Sequence, residues 1–175
     1  MSYKASRLAA DLLLSQQKAI IEKYSSRLDF NRAKTEHCFK VDEKADREEN
    51  TDLFYFEYKR LRIACRMRFN VSSMEYNDIT IRSKLASGNQ TELDKINAGW
   101  GDYLLYCWGT KEKVNEFILI DLEEFRKNQD IFLCDRERWN KDGQSALNGY
   151  DLRIITKSPC CIVANLKYEA VKRGA

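Results

Sequence analysis

The sequence predicts an α/β (α+β) protein with a mixed, largely antiparallel central sheet flanked by helices. Three observations carry that expectation. Residues 53–69, Leu53 to Phe69, run without Gly or Pro at the two-residue period of a strand. Residues 5–24 set Leu8, Leu12, Leu13, Ala19, Ile20 and Tyr24 at helical spacing, with Gln and Lys between them. Residues 102–108 and 115–121 are strongly apolar runs on either side of Gly109-Thr110-Lys111-Glu112, the pattern of antiparallel interior neighbours.

Taken in order, the 5–24 helix is expected to pack on the sheet, and 25–35 is polar connection. Residues 37–41 read as a short strand delivering Asp42. At ~3.3 Å per residue the 53–69 run would span ~55 Å, against ~40 Å for a domain of this length, so it must bend or break. The expected place is Ala64 to Met67, leaving 53–63 as the central strand and 70–73 as a turn. Residues 78–82 alternate as a strand and end at the Ser87-Gly88-Asn89 turn, after which Thr91 can cap a short helix. Residues 121–132 form a second amphipathic helix, 135–149 a polar surface loop and 152–156 a further strand. After Pro159, residues 160–166 read as a final buried strand or a helix start.

A chain of 175 residues is most simply one domain spanning 1–175 and can bury a sizeable core. Lys and Arg number 30 against 27 Asp and Glu, so overall charge does not announce a nucleic-acid binder and local placement must decide. The cysteines at 38, 65, 107, 134, 160 and 161 contain no CxxC pair, and one histidine, His37, accompanies them. That excludes a zinc ribbon or a redox motif. Reduced core thiols in a cytoplasmic protein, with no secretory leader, are the expectation. No apolar run approaches the ~20 residues of a membrane span.

The chemistry is sought in the central run. Alternation puts Leu53, Tyr55, Glu57, Lys59, Leu61, Ile63, Cys65, Met67 and Phe69 on one side and Arg60, Arg62, Arg66 and Arg68 on the other. The arginine row reads as a solvated or phosphate-facing surface. The apolar row contains one carboxylate and one ammonium, a pair kept only if mutually neutralised, open to a cleft, or holding a metal. An ion pair between Glu57 and Lys59 is the plain reading. A second acidic cluster, Asp42-Glu43-Lys44-Ala45-Asp46, lies one hairpin upstream.

An acidic residue, a spacer and then Glu57-Tyr58-Lys59 resembles the PD-(D/E)XK nuclease superfamily, in particular its small phage and mobile-element members. The resemblance extends through the Ser87-Gly88-Asn89 turn to Lys95–Tyr106, where Gly101-Asp102-Tyr103 stands for the Ala-Asp-Tyr that opens a strand in those relatives. It covers roughly residues 35–126. Where the relatives often carry Thr-Gly-Asn, this chain has Glu49-Asn50-Thr51-Asp52.

The resemblance implies a restriction-endonuclease-like fold and a divalent-metal-dependent nuclease acting on nucleic acid, DNA ahead of RNA. Asp42 or Asp46, with Glu57 and the Tyr58 carbonyl, would hold Mg²⁺ or Mn²⁺, and Lys59 would sit by the attacking water. Arg60 and Arg62, on the opposite face of the strand, are read as structural or as a second phosphate surface, and Trp139, set among charges, as a base-stacking residue or an edge tryptophan covering the sheet. The alternative is a catalytically silent nuclease-like fold that binds nucleic acid or a protein. A homodimer is left open.

Overall fold

The computed structural model describes residues 3–29, 34–40 and 54–167, with side chains for 11–29 and 61–167. The chain is mixed α/β, its strands mostly antiparallel and flanked by helices. Its contacts fall into two compact units: residues 29–61, and the remainder.

In the smaller unit β1 (Lys34–Lys40) and β2 (Phe54–Arg60) form an antiparallel pair. β2 is rich in aromatic residues, and both segments lack Gly and Pro, a composition that suits a pleated ribbon. The register sets His37 opposite Glu57 and Thr35 opposite Lys59.

The larger unit opens with α1 (Tyr3–Lys23) and a 3-10 turn, Ser25–Arg27. It continues through β3 (Ile63–Phe69), α2 (Ser73–Tyr76), β4 (Asp78–Leu85), α3 (Glu92–Asn97), β5 (Tyr103–Gly109) and β6 (Val114–Asp121). The last third is α4 (Leu122–Phe132), β7 (Leu133–Trp139), β8 (Ser145–Asp151), α5 (Leu152–Ile155) and β9 (Cys161–Asn165). One sheet has the order β3-β5-β6-β9, with β3 parallel to β5 and the other pairs antiparallel; the second, β4-β8-β7, is wholly antiparallel.

β5 and β6 are interior because they are apolar on both faces. On one face Leu104, Tyr106, Trp108, Ile118 and Ile120 pack with Ile79 and Ile81 of β4, Tyr150 of β8, and Phe125 and Phe132 of α4 in a single core. The Tyr106 hydroxyl bridges the two sheets, 3.1 Å from Thr80 Oγ1 and accepting the Thr80 N–H at 3.3 Å. On the other face α1 lies against β6 through Leu13 and the Tyr24–Phe117 ring contact. The Gln16 amide clasps the end of the β5–β6 hairpin: its NH₂ donates to Glu112 O at 2.8 Å, and its carbonyl accepts from Val114 N at 2.9 Å. Burial beneath α1 pushes the Cys107 thiol up to about 12, against the hydrogen bond from Gln17. Cys65, Cys107, Cys134, Cys160 and Cys161 are unbridged.

Several expectations are corrected. The 53–69 run does not bend at Ala64 to Met67; it breaks at Leu61-Arg62, and its halves join different sheets. The cause is Asp102. Its Oδ2 accepts the Arg62 N–H at 2.7 Å, its own N–H donates to Arg62 O at 2.8 Å, and its carboxylate takes the guanidinium at 2.9 and 3.2 Å. Residues 53–63 are therefore not the central strand. Among the described residues β2 pairs only with β1, and β5 and β6 hold the centre.

The 135–149 loop is instead the β7–β8 hairpin. Gly149 lies in strand β8, where a Cβ would meet Asp78 Oδ2 at 3.0 Å and Asp135 Cβ at 3.2 Å, so the close approach favours glycine. Residues 152–156 form helix α5, because Asp151 caps it by accepting from Arg153 N at 2.8 Å and Leu152 and Ile155 bury one helical face.

Glu116 is buried at the far end of β6. Burial opposes its ionisation, but hydrogen bonds from Ser73 Oγ, Lys167 N and Ser72 Oγ, with the nearby Lys167 charge, hold its carboxyl below the usual glutamate value. A carboxyl with a depressed folded pKa stabilises fully above its unfolded value near 4.5 and loses that contribution as pH falls through the folded value. Glu116→Gln should therefore trail wild type by about 1–3 kcal/mol in urea unfolding above about pH 5, and the gap should close toward pH 3. Asp102→Ala should cost about 2 kcal/mol at neutral pH, read as a lower urea midpoint.

Candidate functional site

A cleft of about 560 Å³ opens in the larger unit between β3, β4 and α3. Its base is apolar, formed with Ala64, Ile96, Leu104 and Leu122. Cations stand around it: Arg66 from β3, Arg82 from β4 and Lys95 from α3, with the single carboxylate Glu92.

Each wall has a local cause. The parallel register Ala64↔Leu104 and Arg66↔Tyr106 puts Arg66 on the core-facing side of β3. There its guanidinium lies 5.9 Å from the Tyr106 ring centroid and pairs with Glu92 Oε2. α3 begins at a complete capping box: Thr91 Oγ1 accepts from Asp94 N at 3.1 Å, and the Asp94 carboxylate accepts from Thr91 N at 2.8 Å. Those bonds hold the Asp94 carboxyl below its usual range.

The helix ends in a Schellman turn, with Gly99 N donating to Ile96 O at 3.0 Å and Trp100 N to Lys95 O at 2.9 Å. Gly99 and Gly101, at φ +82° and +80°, flank Trp100, which lines the cleft and is 63% exposed. The turn thus carries an exposed indole at the edge of the cleft. Arg82 and Lys95 have no ion-pair partner among the described residues.

Of the residues singled out from sequence, Asp42 and Asp46 lie outside the described residues. Glu57, Tyr58, Lys59 and Arg60 fall on β2, where the backbone is described and Glu57 and Lys59 stand two positions apart. Among the described residues no three His, Cys, Asp or Glu side chains gather as a metal site. Of the arginine row, expected as a solvated or phosphate-facing surface, Arg62, just before β3, pairs with Asp102 and donates to Gly99 O at 3.2 Å, Arg66 pairs with Glu92, and Arg68 pairs with the buried Asp78 at 2.9 Å. Trp139, 50% exposed on β7 opposite Ala146, does not line the cleft.

Sequence reasoning passed over Arg82, Lys95 and Trp100. The available signal was Gly99-Trp100-Gly101 after a capped helix, where a large ring between two glycines has no packing reason to be.

Comparison with family models, with curated proteins and with solved structures returns no match. The fold and the cleft together define an α+β protein with a cationic, aromatic-edged concavity.

Gly101→Ala would place a Cβ 3.0 Å from Leu122 Cδ1 in a left-handed backbone conformation. It should cost about 1–2 kcal/mol by thermal unfolding and alter iodide quenching of the tryptophan fluorescence.

Proposed function

We propose that the chain is a divalent-metal-dependent nuclease hydrolysing phosphodiester bonds of nucleic acid, DNA ahead of RNA. The observation that carries the reading is the cleft, which gathers Arg82, Lys95 and an exposed Trp100 over an apolar base. Unpaired cations in a concavity attract a polyanion, and an exposed ring supplies a stacking surface for a base.

The hydrolytic half rests on Glu57-x-Lys59, carried on one strand, and on the resemblance that gives those positions their roles. The donor set is carboxylate and carbonyl oxygen, which suits Mg²⁺ or Mn²⁺. Glu57, Asp42 or Asp46, and the Tyr58 carbonyl would hold the ion, and bound there it supplies a water ionised near neutral pH and charge neutralisation on the phosphate. Lys59 orients the attacking water and takes or shares its proton. The catalytic assembly is proposed to act in a cytoplasmic setting.

The test is cleavage of labelled single-stranded and duplex DNA and RNA with Mg²⁺, Mn²⁺ or EDTA. Metal-dependent products are expected. Glu57→Gln should lower metal affinity by calorimetry together with activity, whereas Lys59→Ala should retain the metal and slow turnover by about 10²-fold or more. A Glu57→Gln protein that melts well below wild type without metal, yet binds Mn²⁺ and cleaves as before, would leave only an ion pair at these positions. Binding without cleavage under every metal condition would favour the non-catalytic binding module.

A further inference from the structure

We infer that the cleft takes an unpaired nucleotide, so that the substrate class is single-stranded nucleic acid, with a base stacked on Trp100 and its phosphate on Arg82 and Lys95. The inference rests on the proposed function for the kind of ligand, nucleic acid, and not for its cleavage.

Three features argue for an unpaired strand. The first is shape. A cavity of about 560 Å³ with an apolar base and a few polar groups at its rim is sized for one small organic ligand. In a duplex the base faces are covered by their neighbours, so an indole lining a concavity can stack only on a base that has left the helix.

The second is preorganisation. The backbone of Trp100 is held by the hydrogen bonds of the Schellman turn, so stacking on its ring does not require ordering that turn. The third is charge placement. Glu92 neutralises Arg66 at the inner wall, and the unpaired guanidinium and ammonium of Arg82 and Lys95 are left on the exposed rim. A base over the apolar base of the cleft and a phosphate at its rim reproduce the amphipathic build of a nucleotide.

The test uses the full chain in EDTA, where metal-dependent cleavage is suspended. Fluorescence anisotropy is read with a labelled oligothymidylate of about ten nucleotides and with a blunt duplex of the same length. The oligothymidylate is expected to bind at least tenfold more tightly. Trp100→Ala should weaken its binding by roughly tenfold and leave the duplex unchanged, while Trp100→Phe keeps most of the affinity. Arg82→Ala and Lys95→Ala should each lower the slope of log K against log salt by about 0.7.

Circular dichroism melts of the variants matching wild type establish that affinity, not folding, has changed. Equal or tighter duplex binding, or an oligothymidylate affinity indifferent to Trp100→Ala, overturns the inference. The two readings fail separately. A protein that cleaves duplex in Mg²⁺ with Trp100→Ala silent keeps the nuclease and loses the single-strand cleft. A protein that binds oligothymidylate through Trp100 and cleaves nothing does the reverse.

Discussion

The larger unit depends on one carboxylate, Asp102. Its side chain holds both the backbone and the guanidinium of Arg62, its N–H meets Arg62 O, and its carbonyl accepts from Leu122 N at 3.0 Å. One residue therefore starts the parallel β3–β5 pair and anchors the first residue of α4. Parallel strands lack a hairpin to set their register, so some other contact must do so. A charge-assisted, two-pronged bond at the first residue pair is such a contact, and it is partly shielded, with the Asp102 side chain 14% exposed. Once Arg62 is fixed, Ala64, Arg66 and Arg68 stand opposite Leu104, Tyr106 and Trp108. The β3 wall of the cleft and the Gly99-Trp100-Gly101 turn, one residue before Asp102, are thus set by the same side chain.

Arginines on a core-facing strand side need an explanation, because an unpaired guanidinium there would be costly. Each finds a carboxylate from another element: Arg66 meets Glu92 of α3, and Arg68 meets Asp78 of β4, with Arg138 of β7 completing the Asp78 site at 3.5 Å. Arg68 also stacks over Tyr76, 4.5 Å from its ring centroid. The Arg68–Asp78 pair ties β3 to the β4-β8-β7 sheet, and the Arg66–Glu92 pair ties it to α3. Their partial exposure keeps the energetic return of each modest, and the contribution is chiefly to position.

What the sequence made legible follows from which signals were local. The α1 helix, the β5–β6 hairpin, β4, α4 and the Thr91 cap announce themselves by period and capping residues within a dozen positions. What escaped depends on partners distant in sequence. The break at Leu61-Arg62 is made by a residue 40 positions on. Glycine is favoured at 149 within β8 because Asp78 and Asp135 approach closely there, and β7 tolerates Asp135, Glu137 and Arg138 because an edge strand can be charged, with Glu137 paired to Lys84 at 2.8 Å. The Leu152–Ile155 run has strand-like composition, but Asp151 supplies the cap that turns it into a helix. For the cleft, Arg82 comes from β4, while Lys95 and Trp100 come from α3 and the turn that ends it, and alternation along one strand could not bring them together.

The near-balance of 30 basic and 27 acidic residues conceals how the charge is used. Arg62, Arg66 and Arg68, conspicuous in the sequence, are each engaged by a carboxylate, and cations facing fixed anions present little field to an incoming phosphate. Arg82 and Lys95 are less conspicuous in sequence, isolated on different elements, and have no such counter-charge among the described residues. A polyanion responds to the charge left over after internal pairing, concentrated where low-dielectric walls focus it. That is a property of the cleft and not of the strand, and it is why the proposed nucleic-acid contacts are Arg82 and Lys95 on the β4 and α3 side.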